Sequence, residues 1–252
     1  MNKGLVDLKS LRRDILKADF RGKSAFCFVD GDKLIKIYAR KTDRGYIYLD
    51  TDKINDFSKY SADTIVFPMQ YLYEKKKICG EIQEYIRNTS ISHSFSDNTL
   101  INPLIENYEL VLEDLHTYSN IIMYDLCSSN ILYSNNNGFH IIDTSEWQFG
   151  NNTTRGNKYR FDSYIIRVLF NYLGIEDYIS KFNHLNNNIK NSCDKLGRYG
   201  YELSYLLECN LNEDYQVIDL LFAYMNLYQK CYDQDINTLE DMKELTKMLK
   251  KG

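Results

Sequence analysis

The hydrophobic pattern of this 252-residue chain changes period once, near residue 88, and that change limits what the chain can fold into. Before it, short runs rich in aromatic and β-branched residues alternate with turn residues. SAFCFV (24–29) and KLIKIY (33–38) flank Asp30-Gly31-Asp32, a strong hairpin signal. TIVFPMQYLYE (64–74) and KICGEIQEYI (77–86) form a second pair around the polar turn Glu74 to Lys77. Pro68 lies inside the first of these, which marks that strand as an edge or as bulged. Between the two hairpins, DKINDFSKYS, capped by Asp50 or Thr51, puts Ile54, Phe57 and Ser61 on one face of a short helix.

Beyond residue 100 the period is helical. NPLIENYELVLEDLHTYS (102–119) aligns Leu104, Ile105, Tyr108, Val111, Leu112 and Leu115 on one stripe. Further helices are expected over 159–173, 201–209, 213–231 and 238–250, and the Asn-rich stretch 183–195 reads as a loop. The predicted architecture is α+β: a small antiparallel β lobe with one helix over 1–86, then a larger, mainly helical lobe over 87–252.

Composition narrows the function. A net charge of −4 and a pI near 5.6 argue against a broad grip on nucleic acid, which needs clustered Lys and Arg. The longest apolar runs, such as Val217 to Tyr224, are broken by charge and too short to span a bilayer. The opening MNKGLVDLKSLRRDILK lacks the continuous apolar stretch of a signal peptide, so a cytoplasmic protein is expected. Six cysteines, at 27, 79, 127, 193, 209 and 231, form no C-x-x-C pair or zinc spacing, and read as reduced small hydrophobes.

The stretch MYDLCSSNILY (123–133) holds a carboxylate, Asp125, and a carboxamide, Asn130, at a fixed separation. A turn at Ser134 to Asn137 follows, and then GFHIIDTSEW (138–147), which carries Asp143. These oxygen donors should converge at the open end of a short hairpin. They suit Mg²⁺, which takes one or two carboxylates together with substrate phosphates.

This stretch resembles the catalytic loop of the protein-kinase-like superfamily, which includes protein kinases and the aminoglycoside and choline phosphotransferases. That loop reads D-L-x-x-x-N, and DLCSSN at 125–130 matches every fixed position. In many members the metal-binding aspartate follows 13 residues after the asparagine, as Asp143 does here at the end of IID. LHTYSNIIMYDL is similar to the helix that runs into that loop. KLIKIY is similar to the third strand, with Lys36 as the phosphate-contacting lysine. IQEYI looks like the hinge, with Gln83 at the gatekeeper position and Glu84, Tyr85 and Ile86 offering backbone groups to adenine.

The resemblance spans residues 15 to 170 and identifies the chain as a divergent, bacterial-type member with a bilobal kinase-like fold. It implies ATP and Mg²⁺ as cofactors. Asp125 would orient the acceptor hydroxyl or take its proton. Asn130 and Asp143 would hold Mg²⁺ against the ATP phosphates, and Lys36 would anchor the α- and β-phosphates. Gly22, Lys23 and Ser24 are the candidate phosphate turn. The acceptor would be a hydroxyl, either of a protein Ser or Thr or of a small molecule.

The chain departs from that pattern at four places. Its phosphate turn has one glycine, Gly22, where protein kinases have three. No glutamate lies between Lys36 and Glu74, which leaves Asp52 or Asp56 as the acidic partner of the lysine, with Asp56 preferred. Met123-Tyr124 replaces the His-Arg pair before the catalytic aspartate, so no switch driven by a phosphorylated loop is expected. Thr144-Ser145 follows Asp143, and 18 residues separate it from Asp162, the counterpart of the helix F aspartate. The intervening segment QFGNNTTRGNKYR (148–160) is polar, and its Arg155 and Lys158 either meet substrate or are solvated. The thin phosphate turn and the missing glutamate favour the alternative reading, a pseudokinase acting as a nucleotide-binding or interaction scaffold.

Overall fold

Asp30-Gly31-Asp32 turns the chain as its composition demands. Gly31 takes φ +65°, the left-handed sign that a two-residue hairpin loop needs at its first position, and Asp30 pairs with Lys33 across it. This computed structural model describes residues 18–21, 25–42, 45–48, 54–74, 77–175, 205 and 217–251. Gly22, Lys23 and Ser24 lie outside the described residues, as do Asp52, the stretch 183–195 and, apart from Tyr205, the helix expected over 201–209.

In chain order the strands are β1 (Phe20–Arg21), β2 (Phe26–Asp30), β3 (Lys33–Ile37), β4 (Ala39–Thr42), β5 (Gly45–Tyr48), β6 (Gln70–Glu74) and β7 (Lys77–Glu84). Short strands follow: β8 (Thr89–Ser90), β9 (Ile121–Ile122), β10 (Ile131–Ser134), β11 (Gly138–Ile141) and β12 (Gln148–Phe149). The helices are α1 (Ile91–Ser94), α2 (Ile101–Thr117), α3 (Thr154–Leu173), α4 (Val217–Tyr232) and α5 (Leu239–Lys251).

Two compact units result. The first joins Met1–Arg87 to Tyr118–Asp125 and His140–Thr153; the second comprises Asn88–Thr117, Leu126–Phe139 and Thr154–Gly252. The first unit therefore takes in two segments beyond the expected 1–86, and these carry Asp125 and Asp143.

The first unit is built on an antiparallel sheet of order β1-β2-β3-β7-β6. Strand alternation gives it two faces. Phe26, Phe28, Ile35, Ile37 and Leu72 form an apolar core on one, while Cys27, Lys36, Glu81 and Gln83 stand on the other. At Gly80, a Cβ would lie 2.2 Å from the Lys36 carbonyl oxygen, so only glycine allows β7 to press this closely on β3. Gly80→Ala is accordingly expected to lower stability by about 1–3 kcal/mol in urea unfolding. An unchanged midpoint would show that the strands give way freely.

Two expected elements of the first unit form differently. The strand expected over 64–74 starts only at Gln70. Pro68, which has no N–H, precedes it, and Ile65 instead pairs in parallel with Ile141: Val66 N–H donates to Ile141 C=O (2.9 Å) and Ile141 N–H to Thr64 C=O (2.7 Å). The part of this strand that forms is both an edge and bulged, its register shifting between Leu72 and Tyr73.

The helix expected over 52–61 is absent from its described residues, 54–61. Asp56 accepts from the Ser58 N–H (3.1 Å) and hydroxyl (2.5 Å), a local turn that competes with helix. Tyr71 Oη then takes the Phe57 N–H (3.3 Å) and donates to the Asn55 C=O (2.9 Å). The apolar spacing is still satisfied. Phe57 is buried in an aromatic cluster with Tyr60, Phe67 and Phe149, which Tyr118 and Trp147 extend. That cluster, with β12 paired on β9, fastens the two later segments to the first unit.

In the second unit α2 buries Ile101, Leu104, Ile105, Tyr108, Val111 and Leu115, close to the expected stripe. The β10–β11 hairpin turns where expected, with Gly138 at φ +70°. α5 opens on a reciprocal cap: Thr238 N–H donates to Asp241 Oδ2 (2.8 Å) and Asp241 N–H to Thr238 Oγ1 (3.4 Å). α3 starts five residues earlier than expected, because Thr154, Asn157 and Lys158 in its first turns are held by the surrounding structure. Asn157 is buried, and Lys158 forms an i,i+4 ion pair with Asp162. Among the described residues, no helix is long and apolar enough to cross a membrane.

Candidate functional site

Lys36 sits on the central strand β3 with its side chain 7% exposed. A lone ammonium at such a depth costs several kcal/mol unless it is paired. Two acids pair it. Glu81, its partner in the β3–β7 register, brings Oε1 to 3.2 Å from Nζ, and Asp143 brings Oδ1 to the same distance. The contact to Glu81 is an ion pair without hydrogen-bond alignment, whereas that to Asp143 is also a hydrogen bond.

Glu81 is fully buried, and its other oxygen accepts from Tyr38 Oη at 2.7 Å. Burial works against the charge of Lys36, but Glu81 and then Asp143 outweigh it and hold the ammonium above the ordinary lysine range. Burial, reinforced by Glu81, also raises the Tyr38 phenol. Cys27, opposite Lys36 on β2, is pushed up to about 11 by burial, with Lys36 pulling the other way.

The expected partner of Lys36, Asp56, is not the acid that meets it. Asp56 serves the Ser58 turn, and Asp52 lies outside the described residues. The acid comes from the second hairpin itself and not from the segment between the two hairpins, where Asp52 and Asp56 lie. KICGEIQEYI carries one acid, Glu81, within its interior and a second, Glu84, near its end, and KLIKIY likewise carries Lys36 in its interior.

Asp143 follows β11 in a left-handed conformation (φ +67°, ψ +61°) that opens a single 3-10 turn over Thr144–Glu146. Its side chain is 41% exposed, and Oδ1 also accepts from Ser145 Oγ at 3.2 Å. Asp125 is exposed and likewise left-handed, at φ +54°, in the turn after β9. Among the described residues only two other non-glycines, Asn152 and Asp233, have positive φ. Each such residue costs about 1 kcal/mol or more, and a strained backbone of this kind is a pointer to function.

Lys36, Asp125 and Asp143 thus belong to one unit. Asn130 belongs to the other, in the turn ahead of β10, where its N–H donates to the Cys127 C=O at 2.9 Å. Of the expected hinge residues, Glu84 ends β7 opposite Lys33, and the Tyr85 N–H is committed to the Asp32 C=O at 2.8 Å. Ladder alternation then turns the backbone groups of Glu84 to the opposite edge, where the Ile82 C=O accepts the Met69 N–H (2.8 Å). Ile86 is half-buried just beyond the strand. Gln83 is 1% exposed, and its Oε1 has no hydrogen-bond partner.

In the second unit Asp162 is buried, accepting from Tyr108 Oη (2.8 Å) and from the Lys158 ammonium. Burial raises its carboxyl while Lys158 and Tyr108 oppose the rise. Lys158 is therefore committed within its own helix, whereas Arg155 is exposed. Among the described residues no three Asp, Glu, His or Cys side chains are grouped for a metal. The half-exposed Asp143 carboxylate suits Mg²⁺, which is content with one or two carboxylates and fills its shell with water and phosphate. A scan against protein-family models finds no match, and no curated protein matches the chain.

Proposed function

We propose that the protein is an ATP- and Mg²⁺-dependent phosphotransferase of kinase-like, bilobal fold, acting on a hydroxyl. The observation that carries this reading is the buried Lys36 ammonium held between Glu81 and a half-exposed Asp143 in a left-handed backbone. A purely structural ion pair would need Glu81 alone. The further acid, more exposed and conformationally strained, offers oxygen to a cation beside an ammonium that can take phosphate oxygens.

In this reading Lys36 binds phosphate oxygens, and Asp143 holds the metal, with Asn130 as the second ligand that the resemblance implies. Bound Mg²⁺ supplies neutralisation of phosphate charge. Asp125 accepts the acceptor hydroxyl's proton as the oxygen bonds to the γ-phosphorus and the bond to the β-phosphate oxygen breaks, releasing ADP. One ground for the scaffold alternative, a lysine without an acidic partner, does not hold.

ATP consumption by the wild type and by Asp125→Ala, read beside thermal shifts with ATP and Mg²⁺, tests the reading. The variant should lose at least about 10²-fold in turnover while still being stabilised by the nucleotide. Stabilisation without any Asp125-dependent turnover would favour the scaffold.

A further inference from the structure

We infer that Glu81 and Tyr38 form a positioning clamp for Lys36 that is built into the register of the sheet itself. The inference rests on the proposed reading for its kinetic consequence, but its geometry stands alone. Lys36 and Glu81 are direct cross-strand partners, which brings Cβ atoms within about 4.5–5.5 Å on one face. Tyr38, two residues further along on the same side, fixes the second carboxylate oxygen at 2.7 Å. One oxygen of Glu81 is thus held by the Tyr38 hydroxyl, while the other faces the ammonium at 3.2 Å.

Gly80 adds the third element. Beside it, β7 approaches the Lys36 backbone so closely that no Cβ fits, and this brings the two strands together next to the ion pair. An acid carried on a neighbouring helix or loop could leave without disturbing a sheet. Withdrawing the backbone that carries Glu81 would mean breaking the β3–β7 register, in which Lys33 to Ile37 pair with Gly80 to Glu84. The ammonium is thus placed before any ligand arrives, and no ordering cost falls on binding. Asp143, the far more exposed of its two acids, is the partner that a phosphate can displace.

The groups facing the ammonium are Glu81 from β7, Asp143 from the segment after β11, and the neutral thiol of Cys27 from β2. The test follows the order of the Lys36 side chain by ¹³Cε NMR relaxation at neutral pH, in the wild type, Glu81→Gln and Tyr38→Phe, beside ATP-consumption kinetics on the same proteins. Glu81→Gln should lower that order and raise the KM for ATP about tenfold, with a smaller change in kcat. Tyr38→Phe removes only a hydroxyl and should shift both in the same direction by less.

A folded Glu81→Gln protein with the wild-type order at Lys36 overturns the clamp. Should that variant not fold, a wild-type order and KM in Tyr38→Phe overturn it instead. The relaxation measurement needs no nucleotide, so an absence of ATP turnover in the wild type would sink the proposed function and still leave the clamp to be judged.

Discussion

Lys36→Met is expected to cost the folded protein about 3–5 kcal/mol, the loss typical of removing one partner from a buried ion pair. Methionine fills most of the lysine volume, so a cavity is not the main effect. The damage comes from Glu81, left fully buried with a charge and only the Tyr38 hydroxyl to answer it. The double variant Lys36→Met/Glu81→Met should recover much of that loss, since an apolar pair of similar volume removes the unpaired charge.

Urea unfolding of the four members of this cycle measures the coupling. Additive single losses would show that the two side chains act independently. The pH dependence has a definite sign. Because the folded-state pKa of Lys36 is raised above its ordinary 10.5, the stability it contributes is complete below that value. It is lost only as pH rises through the higher folded-state value. The penalty of Lys36→Met should therefore stay constant across the neutral range and shrink only in strong alkali.

Asp143→Asn should do the reverse: a large functional loss with little change in stability. Its side chain is 41% exposed, so its share of the Lys36 contact is screened, and a change within about 1 kcal/mol is expected. Asparagine also tolerates the left-handed backbone that Asp143 adopts at φ +67°. The chemistry is less forgiving. Removing the more exposed of the two carboxylates beside Lys36 should lower ATP turnover by about 10²–10³-fold. Thermal melts and ATP-consumption rates on one preparation separate the two effects. Full turnover in Asp143→Asn would remove the carboxylate from the reaction.

The contrast between these two acids also shows what the sequence could disclose. Local signals were legible: the Asp30-Gly31-Asp32 turn, the α2 stripe, the β10–β11 hairpin, and helices α4 and α5, found at 217–232 and 239–251 against the expected 213–231, of which 213–216 lie outside the described residues, and 238–250. Each is written in turn residues or a period within its own segment. The helix expected over 52–61 failed although its apolar spacing was real. Asp56, Ser58 and the distant Tyr71 offered the backbone other partners, and Phe57 reached the core without a helix.

The motif drew attention to Asp125 and Asp143 but carried no hint that both are left-handed, which depends on turns closed by β9, β12 and their neighbours. Glu81 was the larger omission. Its role exists only in the pairing of β3 with β7, more than forty residues apart, and no spacing rule within one segment contains it. The early start of α3 was hidden for a related reason. Its polar first turns read as loop until Lys158 found Asp162 and Asn157 became buried.

The most direct measurement is calorimetric titration of ATP into the wild type and Asp143→Asn, each with and without Mg²⁺. A metal held at Asp143 requires that the wild type bind ATP more tightly when Mg²⁺ is present, and that Asp143→Asn lose that Mg²⁺-dependent gain while remaining folded. No binding by the wild type, or an affinity indifferent to both Mg²⁺ and the substitution, would contradict it.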